Sequence, residues 1–331
     1  MATGIMTTAA RSGAGFQALL DATRDVYAAE IFFSALPVMK FDQFSTKRTE
    51  LEVQPGKQIL IPKYGNIKRG GKLTEGTPIT TRAMSMSMQP ITVDEQGNAI
   101  GFSERLLQQS FFDQMQAASI LLGRDMAVVL DTQLRDTVLG ASSIVRGDAT
   151  TPGVEATSDG TTIGGFDTRC VKDCVETLET NNAPRWDNDF YVSFVHPHQA
   201  RALRDDPEWI NASLYARDGK IFNGEIGRYE DVRFISTTMM TNGANSAVDP
   251  DTGEYVNLGY DPSLAGIGAG GANLYKAVVF GEFAYGHATA LPVELRDNGV
   301  TDFGREHALA WYAIWGTGIL LDQNIVTVKT A

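Results

Sequence analysis

Cationic side chains and cysteines are scarce in this sequence, and long apolar runs are missing from it. The 331 residues carry 28 Lys and Arg against 40 Asp and Glu, a formal net charge of −12. Proteins that grip a phosphate backbone carry clustered excess cations, so a function built on such a grip is disfavoured. If the chain meets DNA, it is expected to contain it rather than read it. The longest apolar runs, such as residues 126–130 and 277–280, fall far short of the ~20 residues a membrane helix needs, and a soluble chain is expected. Residues 1–15 hold Arg11 as their sole charge and lack the basic head, apolar stretch and cleavage site of a secretory signal. Synthesis in a cytoplasm is the corresponding expectation. The two cysteines, Cys170 and Cys174, sit four apart in a stretch of helical periodicity. That spacing puts their Cβ atoms ~5–6 Å apart, too far for a disulfide, so free thiols are expected.

What is present is ordinary globular material, 43% hydrophobic and 21% charged, enough for a sizeable core and two subdomains of α+β type. Phe16, Leu19, Leu20, Val26, Tyr27, Ile31 and Phe32 predict an amphipathic arm helix that Pro37 ends. Residues 58–64 and 79–88 read as the strands of a long hairpin around a Gly-rich, basic centre. In its return strand Met84, Met86 and Met88 alternate with Ser85 and Ser87, which predicts a half-buried strand with the methionines on one face.

Leu107, Phe111, Met115, Ala118, Leu122, Met126 and Val129 follow with helical spacing. Ser110 and Asp113 resemble an N-cap, so a short helix is expected before a long one over about 112–139, ~28 residues or roughly 42 Å, stopped at Gly140. Residues 146–165 read as a linker. Asp167 is expected to cap a helix whose core face is Val171, Cys174, Val175 and Leu178, followed by a strand at 190–195 and a helix with Pro197 in its first turn. Further strands are expected at 232–236, 274–280, 307–315 and 325–329, the last two as a sheet edge or meander.

Chemistry is hard to find. There is no phosphate-binding loop ending in Gly-Lys-Ser/Thr and no Gly-x-Ser-x-Gly turn. Gly266, Gly268, Gly270 and Gly271 resemble a dinucleotide loop but precede a strand instead of following one. His196 and His198 flank Pro197 near a helix N-terminus without a third ligand at regular spacing, which favours capping. Asp249, Asp251 and Glu254 form an incomplete calcium-loop series. His287 and His307 are isolated and are expected to pack or face solvent. No catalytic residue, cofactor or metal site is therefore expected.

Four segments resemble one family: residues 73–78 (LTEGTP), 102–107, 191–203 (YVSFVHPHQARAL) and 221–235 (IFNGEIGRYEDVRFI), the last with the core Gly224 to Arg228. They resemble the major capsid proteins of tailed bacteriophages, whose shared fold is named the Johnson fold. The resemblance implies an N-terminal arm (1–48), an extended loop (49–90), a peripheral domain with a spine helix (91–164), an axial domain (165–284) and a return to the peripheral domain (285–331). It implies self-assembly into hexamers and pentamers of an icosahedral shell enclosing DNA, in a virion assembled in the host cytoplasm. Scaffolding, portal and decoration proteins are left open as partners.

Intersubunit contacts are expected from the arm at Phe16, Leu19 and Leu20 and from the loop at Lys63, Lys68, Arg69, Lys72 and Glu75. Between Lys57 and Arg82 six cations face one acid, a net +5, while the rest of the chain carries −17. Gly224 and Gly227 are expected at a structural turn before a strand. Two other readings stay open: a cellular nanocompartment shell of the same fold, and a small-molecule α+β enzyme with its site around His196 and His198.

Overall fold

The computed structural model of the chain describes residues 39–53, 56–72, 75–76, 78–79, 81–109, 114–146, 165–210, 225–244, 246, 258–266 and 273–330. The expected arm helix with Phe16, Leu19 and Leu20, most of the 146–165 linker, Ser110 to Asp113, Gly224, the Asp249 to Glu254 loop and Gly268 to Gly271 lie outside the described residues.

The chain runs through β1 (Thr46–Arg48), α1 (Glu50–Val53), β2 (Gln58–Tyr64), β3 (Met86–Thr92), β4 (Asp94–Ser103), α2 (Glu104–Gln109) and α3 (Gln114–Leu139). It continues with β5 (Ile144–Arg146), α4 (Thr168–Thr180), β6 (Tyr191–Val195), α5 (Pro197–Asp205), β7 (Glu225–Tyr229) and β8 (Val232–Ser236). It closes with β9 (Tyr275–Phe280), β10 (Tyr285–Thr301), β11 (Glu306–Ile319) and β12 (Ile325–Thr330).

The 26-residue α3 is the spine, about 39 Å long at ~1.5 Å per residue. Ala118, Leu122, Met126, Leu130, Leu134 and Val138 recur at fours along it and are all buried. Beyond it, the Gly140 N–H closes the last turn on the Asp136 and Thr137 carbonyls. A four-stranded sheet, β1-β10-β11-β4, covers the helix. Its central strand β11 lays Trp311 and Trp315 on the helix with their rings stacked 5.5 Å apart. The indole N–H of Trp311 donates to Asp125 Oδ2 (2.8 Å) and that of Trp315 to Gln133 Oε1 (2.7 Å).

A six-stranded sheet, β5-β12-β9-β6-β8-β7, makes the second unit. Its strands alternate between two cores, as the two-residue strand period requires. Tyr191, Val195, Phe234, Ala277 and Val279 face α4 and α5, while Val192, Phe194, Val278 and Phe280 face the spine side. The Asp167 side chain accepts from the Cys170 N–H at 3.0 Å, capping α4, and both cysteines are buried and free. Burial, with Asp167 beside it, pushes the Cys170 thiol up to about 12, which removes thiolate reactivity.

Several expectations need correction. The return strand of the hairpin begins at Met86, not residue 79, and pairs Tyr64 with Met86 and Pro62 with Met88. It is not half-buried: apart from Ile91, every residue of β3 is exposed. β11 and β12 are not edges but interior strands of two different sheets, because β4 and β10 flank the first and β5 and β9 the second. Both β4 and β10 are strands that the sequence pattern did not announce. β12 pairs within the six-stranded sheet, while β11 pairs with β10 and β4 in the four-stranded one. Gly227 lies inside β7, next to an irregularity in its pairing with β8. The turn that follows is made by Glu230 and Asp231, both at positive φ. A Cβ at Gly227 would meet the Trp209 ring at 3.1 Å, so the limit there is packing and not backbone conformation.

Residues 39–44 tie the two units together. Asp131, fully buried on the spine, accepts the Lys40 and Phe41 N–H groups at 3.0 and 2.9 Å. Lys40 Nζ donates to the Ser236 carbonyl (2.7 Å), and the Tyr285 hydroxyl donates to the Phe41 carbonyl (2.6 Å). Phe41 packs on Phe194 at 4.3 Å, and Phe44 meets Phe280 edge-on. Burial raises the Asp131 carboxyl to about 6 against the two backbone hydrogen bonds that pull it down. Its neighbour Asp42 goes the other way: burial would raise it, but hydrogen bonds from His287 and Lys47 hold it well below the usual carboxylate range.

Two outcomes follow. Leu134→Ala, at a fully buried position, should cost about 2–5 kcal/mol in urea unfolding. Between the unfolded pKa of about 3.9 and the folded value of about 6, the folded state holds an extra proton on Asp131. This residue therefore lowers stability as pH rises through that window and adds no slope outside it. Asp131→Asn keeps the acceptor for both N–H groups and should remove that component of the slope, whereas Asp131→Ala should cost about 1–3 kcal/mol per orphaned N–H. Identical wild-type and Asn slopes between pH 4 and 6 would contradict the assignment.

Candidate assembly surfaces

β2 and β3 form a two-stranded hairpin on their own, hydrogen-bonded to neither larger sheet. Such a ribbon is marginal alone, and its root is held by apolar packing. Ile59, Ile61 and Ile91 share one face and pack with Leu51, Val93, Ala288, Ala290, Ile314 and Leu320. Gly316 and Gly318 of β11 lie beneath it; a Cβ on Gly316 would run into the Thr92 carbonyl, and one on Gly318 into the Ile91 side chain. Glycine there lets the root seat against the sheet.

Among the described residues, nothing covers the opposite face of the ribbon. The register brings Leu60, Pro62 and Tyr64 beside Pro90, Met88 and Met86. Leu60, Tyr64, Met86 and Met88 are each about half exposed (48–59%), and Met84, Ile67 and Ile79 beyond the strands are more so. Large clustered apolar side chains in water are uncommon on a surface that stays solvated. The methionine alternation was legible in the sequence, but the open side was not, because it depends on which face the root offers to β11.

The expected charged contacts share this element. Lys63 lies on the root-packing face of β2, toward the outer end, and Lys68, Arg69, Lys72 and Glu75 follow in the connection; all are exposed. Among the described residues no ion pair engages any of them. By contrast the acidic body pairs its own cations: Arg228 with Asp189 and Asp231, and Arg185 with Glu179 and Asp231.

The histidines fill structural posts. His196 caps α5, its Nδ1 accepting from the His198 N–H (3.2 Å) while its own N–H donates to Gln199 Oε1 (3.1 Å). Burial first, then the charge of His198, lowers His196 to about 4, so its ring is neutral at pH 7 with Nδ1 engaged. The His198 ring stacks on Tyr275 at 4.4 Å. His287 and His307 pack beside Asp42 (3.5 Å) and Asp297 (2.9 Å). Among the described residues no group of three or more His, Cys, Asp or Glu is placed to hold a metal ion, and no helix is long and apolar enough to cross a membrane.

Known proteins resemble this arrangement. A family of phage capsid proteins matches residues 177–318 by sequence. No curated protein sequence matches. Among solved structures, the capsid of cyanophage P-SCSP1u is 17% identical with a TM-score of 0.62, each chain covered over 88% of its length. The capsid of cyanophage Pam1 is 15% identical, covers 86% of this chain and 87% of its own, and has a TM-score of 0.64. That of Ralstonia phage GP4 is 16% identical, with coverages of 88% and 90% and a TM-score of 0.61. At these identities the likeness is one of fold. The phage capsid sequence pattern spans residues 177–318, less than half of the chain, and the fold that carries it is the Johnson fold of tailed-phage shells.

Proposed function

We propose that the chain assembles in many copies, through hexamers and pentamers, into an icosahedral shell enclosing double-stranded DNA. The observation that carries this reading is the protruding β2–β3 ribbon, apolar on one uncovered face and basic toward its outer end. In the shell the four-stranded sheet and spine helix form the peripheral unit, the six-stranded sheet the axial unit, and the ribbon the extended loop. The segment before residue 39, with Phe16, Leu19 and Leu20, serves as the contacting arm.

The loop docks on a neighbouring copy in two ways at once. Its apolar face excludes water, and burial at ~25 cal/mol per Å² supplies affinity. Its five surplus positive charges meet a body of net −17 and set register. Each exposed pair adds only ~0.2–1 kcal/mol, but the contact repeats around every ring. The net charge of −12 suits a container that does not grip its DNA. The shell is a virion component assembled in the host cytoplasm, with scaffolding, portal and decoration proteins as further partners.

Negative-stain electron microscopy of the purified protein should show closed shells; discrete small oligomers would overturn the reading. Replacing Lys68, Arg69 and Lys72 with Glu should leave circular dichroism unchanged and abolish shells. Wild-type-like particles from that triple variant would refute charge-guided docking.

A further inference from the structure

Among the described residues, nothing covers the ring of Phe303 in the turn that ends the β10–β11 hairpin. Asp302 and Phe303 both have left-handed backbone, φ 46 and 54, and Phe303 is 99% exposed. A bulky residue in that region is strained, and an aromatic ring fully in water gains nothing from its size. Glycine or asparagine would suit the backbone better.

A cleft opens at the base of the same turn. Gly101 and Phe102 of β4, Asn298 and Thr301 of β10, and His307 and Ala308 of β11 line about 320 Å³ of mostly apolar space. Its cause is local: Gly101 and Ala308 are paired across two strands, so neither offers a large side chain, and β10 is irregular between Asp297 and Val300. A Cβ on Gly101 would touch no atom within 4 Å. Phe303 does not line the cleft. A cavity of about 150 Å³ is enough to hold a benzene ring, so this one has room for a phenyl group.

Charge complements shape. Arg305, beside Phe303, has an 80% exposed side chain whose one described ion pair is a 3.4 Å contact with Asp302, and Glu306 stands in the cleft wall. Exposed pairs of that kind hold weakly, so the guanidinium is available to another carboxylate.

We propose that Phe303 of one subunit seats in this cleft on a second copy of the chain, with Arg305 facing that copy's Glu306. Each copy carries one knob and one cleft, so every copy can give and receive, as closed assemblies require. The contact rests on the shell reading and is separate from the β2–β3 ribbon.

Phe303→Gly relieves the strained backbone and deletes the knob. It should raise the melting temperature of the subunit while cutting particle yield at least ten-fold, a split that a merely structural residue would not give. Gly101→Trp fills the cleft from the other side and should cut particle yield equally, with circular dichroism unchanged. Phe303→Cys combined with Gly101→Cys should give, on oxidation of assembled particles, a covalent ladder that neither single variant gives; the native thiols are buried. Wild-type particle yield from Phe303→Gly, or crosslinking by Phe303→Cys alone, would overturn the contact and leave the shell reading standing. Absence of particles from the unaltered chain would overturn the shell reading, and this contact with it.

Discussion

One helix has to be buried along its length by strands that come from both ends of the chain, and the subunit is organised by how that is achieved. Trp311 and Trp315 are four residues apart on β11, about 13 Å along a strand. Their acceptors, Asp125 and Gln133, are eight apart on the spine, about 12 Å along a helix. The two rises match, so both indoles find partners at one register only. A shift of the strand by two residues would leave two buried N–H groups without acceptors, and the sheet built on β11 is held in place by that requirement. β4, β10 and the root of the ribbon take their positions from it.

Elements with a local signature of their own were readable from the amino-acid sequence. The spine announced itself through apolar residues at fours, α4 through Asp167 and an amphipathic face, and β6–α5 through an apolar run followed by His-Pro. The strands β4 and β10 had no such signature. β4 holds Asp94, Glu95, Gln96, Gly97 and Asn98 in its first half, and β10 contains Pro292 and the Asn298-Gly299 pair. Both are strands because β11 lies between them and pairs with each, and a cross-strand partner is not written in local sequence. The same limit explains β11 and β12. Alternation reveals which face is buried, not how many neighbours flank the strand, so interior strands of two separate sheets looked like one edge. Gly227 followed the reverse course, conspicuous in sequence yet limited by Trp209, which lies eighteen positions earlier.

The candidate assembly surfaces were legible in charge and only partly in shape. Six cations within 26 residues stand out in any acidic chain. That the ribbon is amphipathic across its two faces emerged only from the β2–β3 register, which aligns Leu60, Pro62 and Tyr64 with the methionine side. An element that offers grease on one face and positive charge toward its end makes two kinds of demand on whatever it meets. A surface able to satisfy both would have to be dry and acidic at once, a combination few unrelated proteins present.

The clasp at residues 39–44 has a mechanical consequence. Lys40 and Phe41 are fastened to the spine helix, to the end of β8 and to β10 by bonds within two residues of one another. Tension on the polypeptide ahead of residue 39 is therefore shared among three elements at the point where it arrives. It cannot peel one strand away in sequence, since the load meets the bonds together and not one after another. A subunit fastened in this way passes a pull on its leading segment straight into its stiffest member, the spine, and can transmit force across its width without first unravelling.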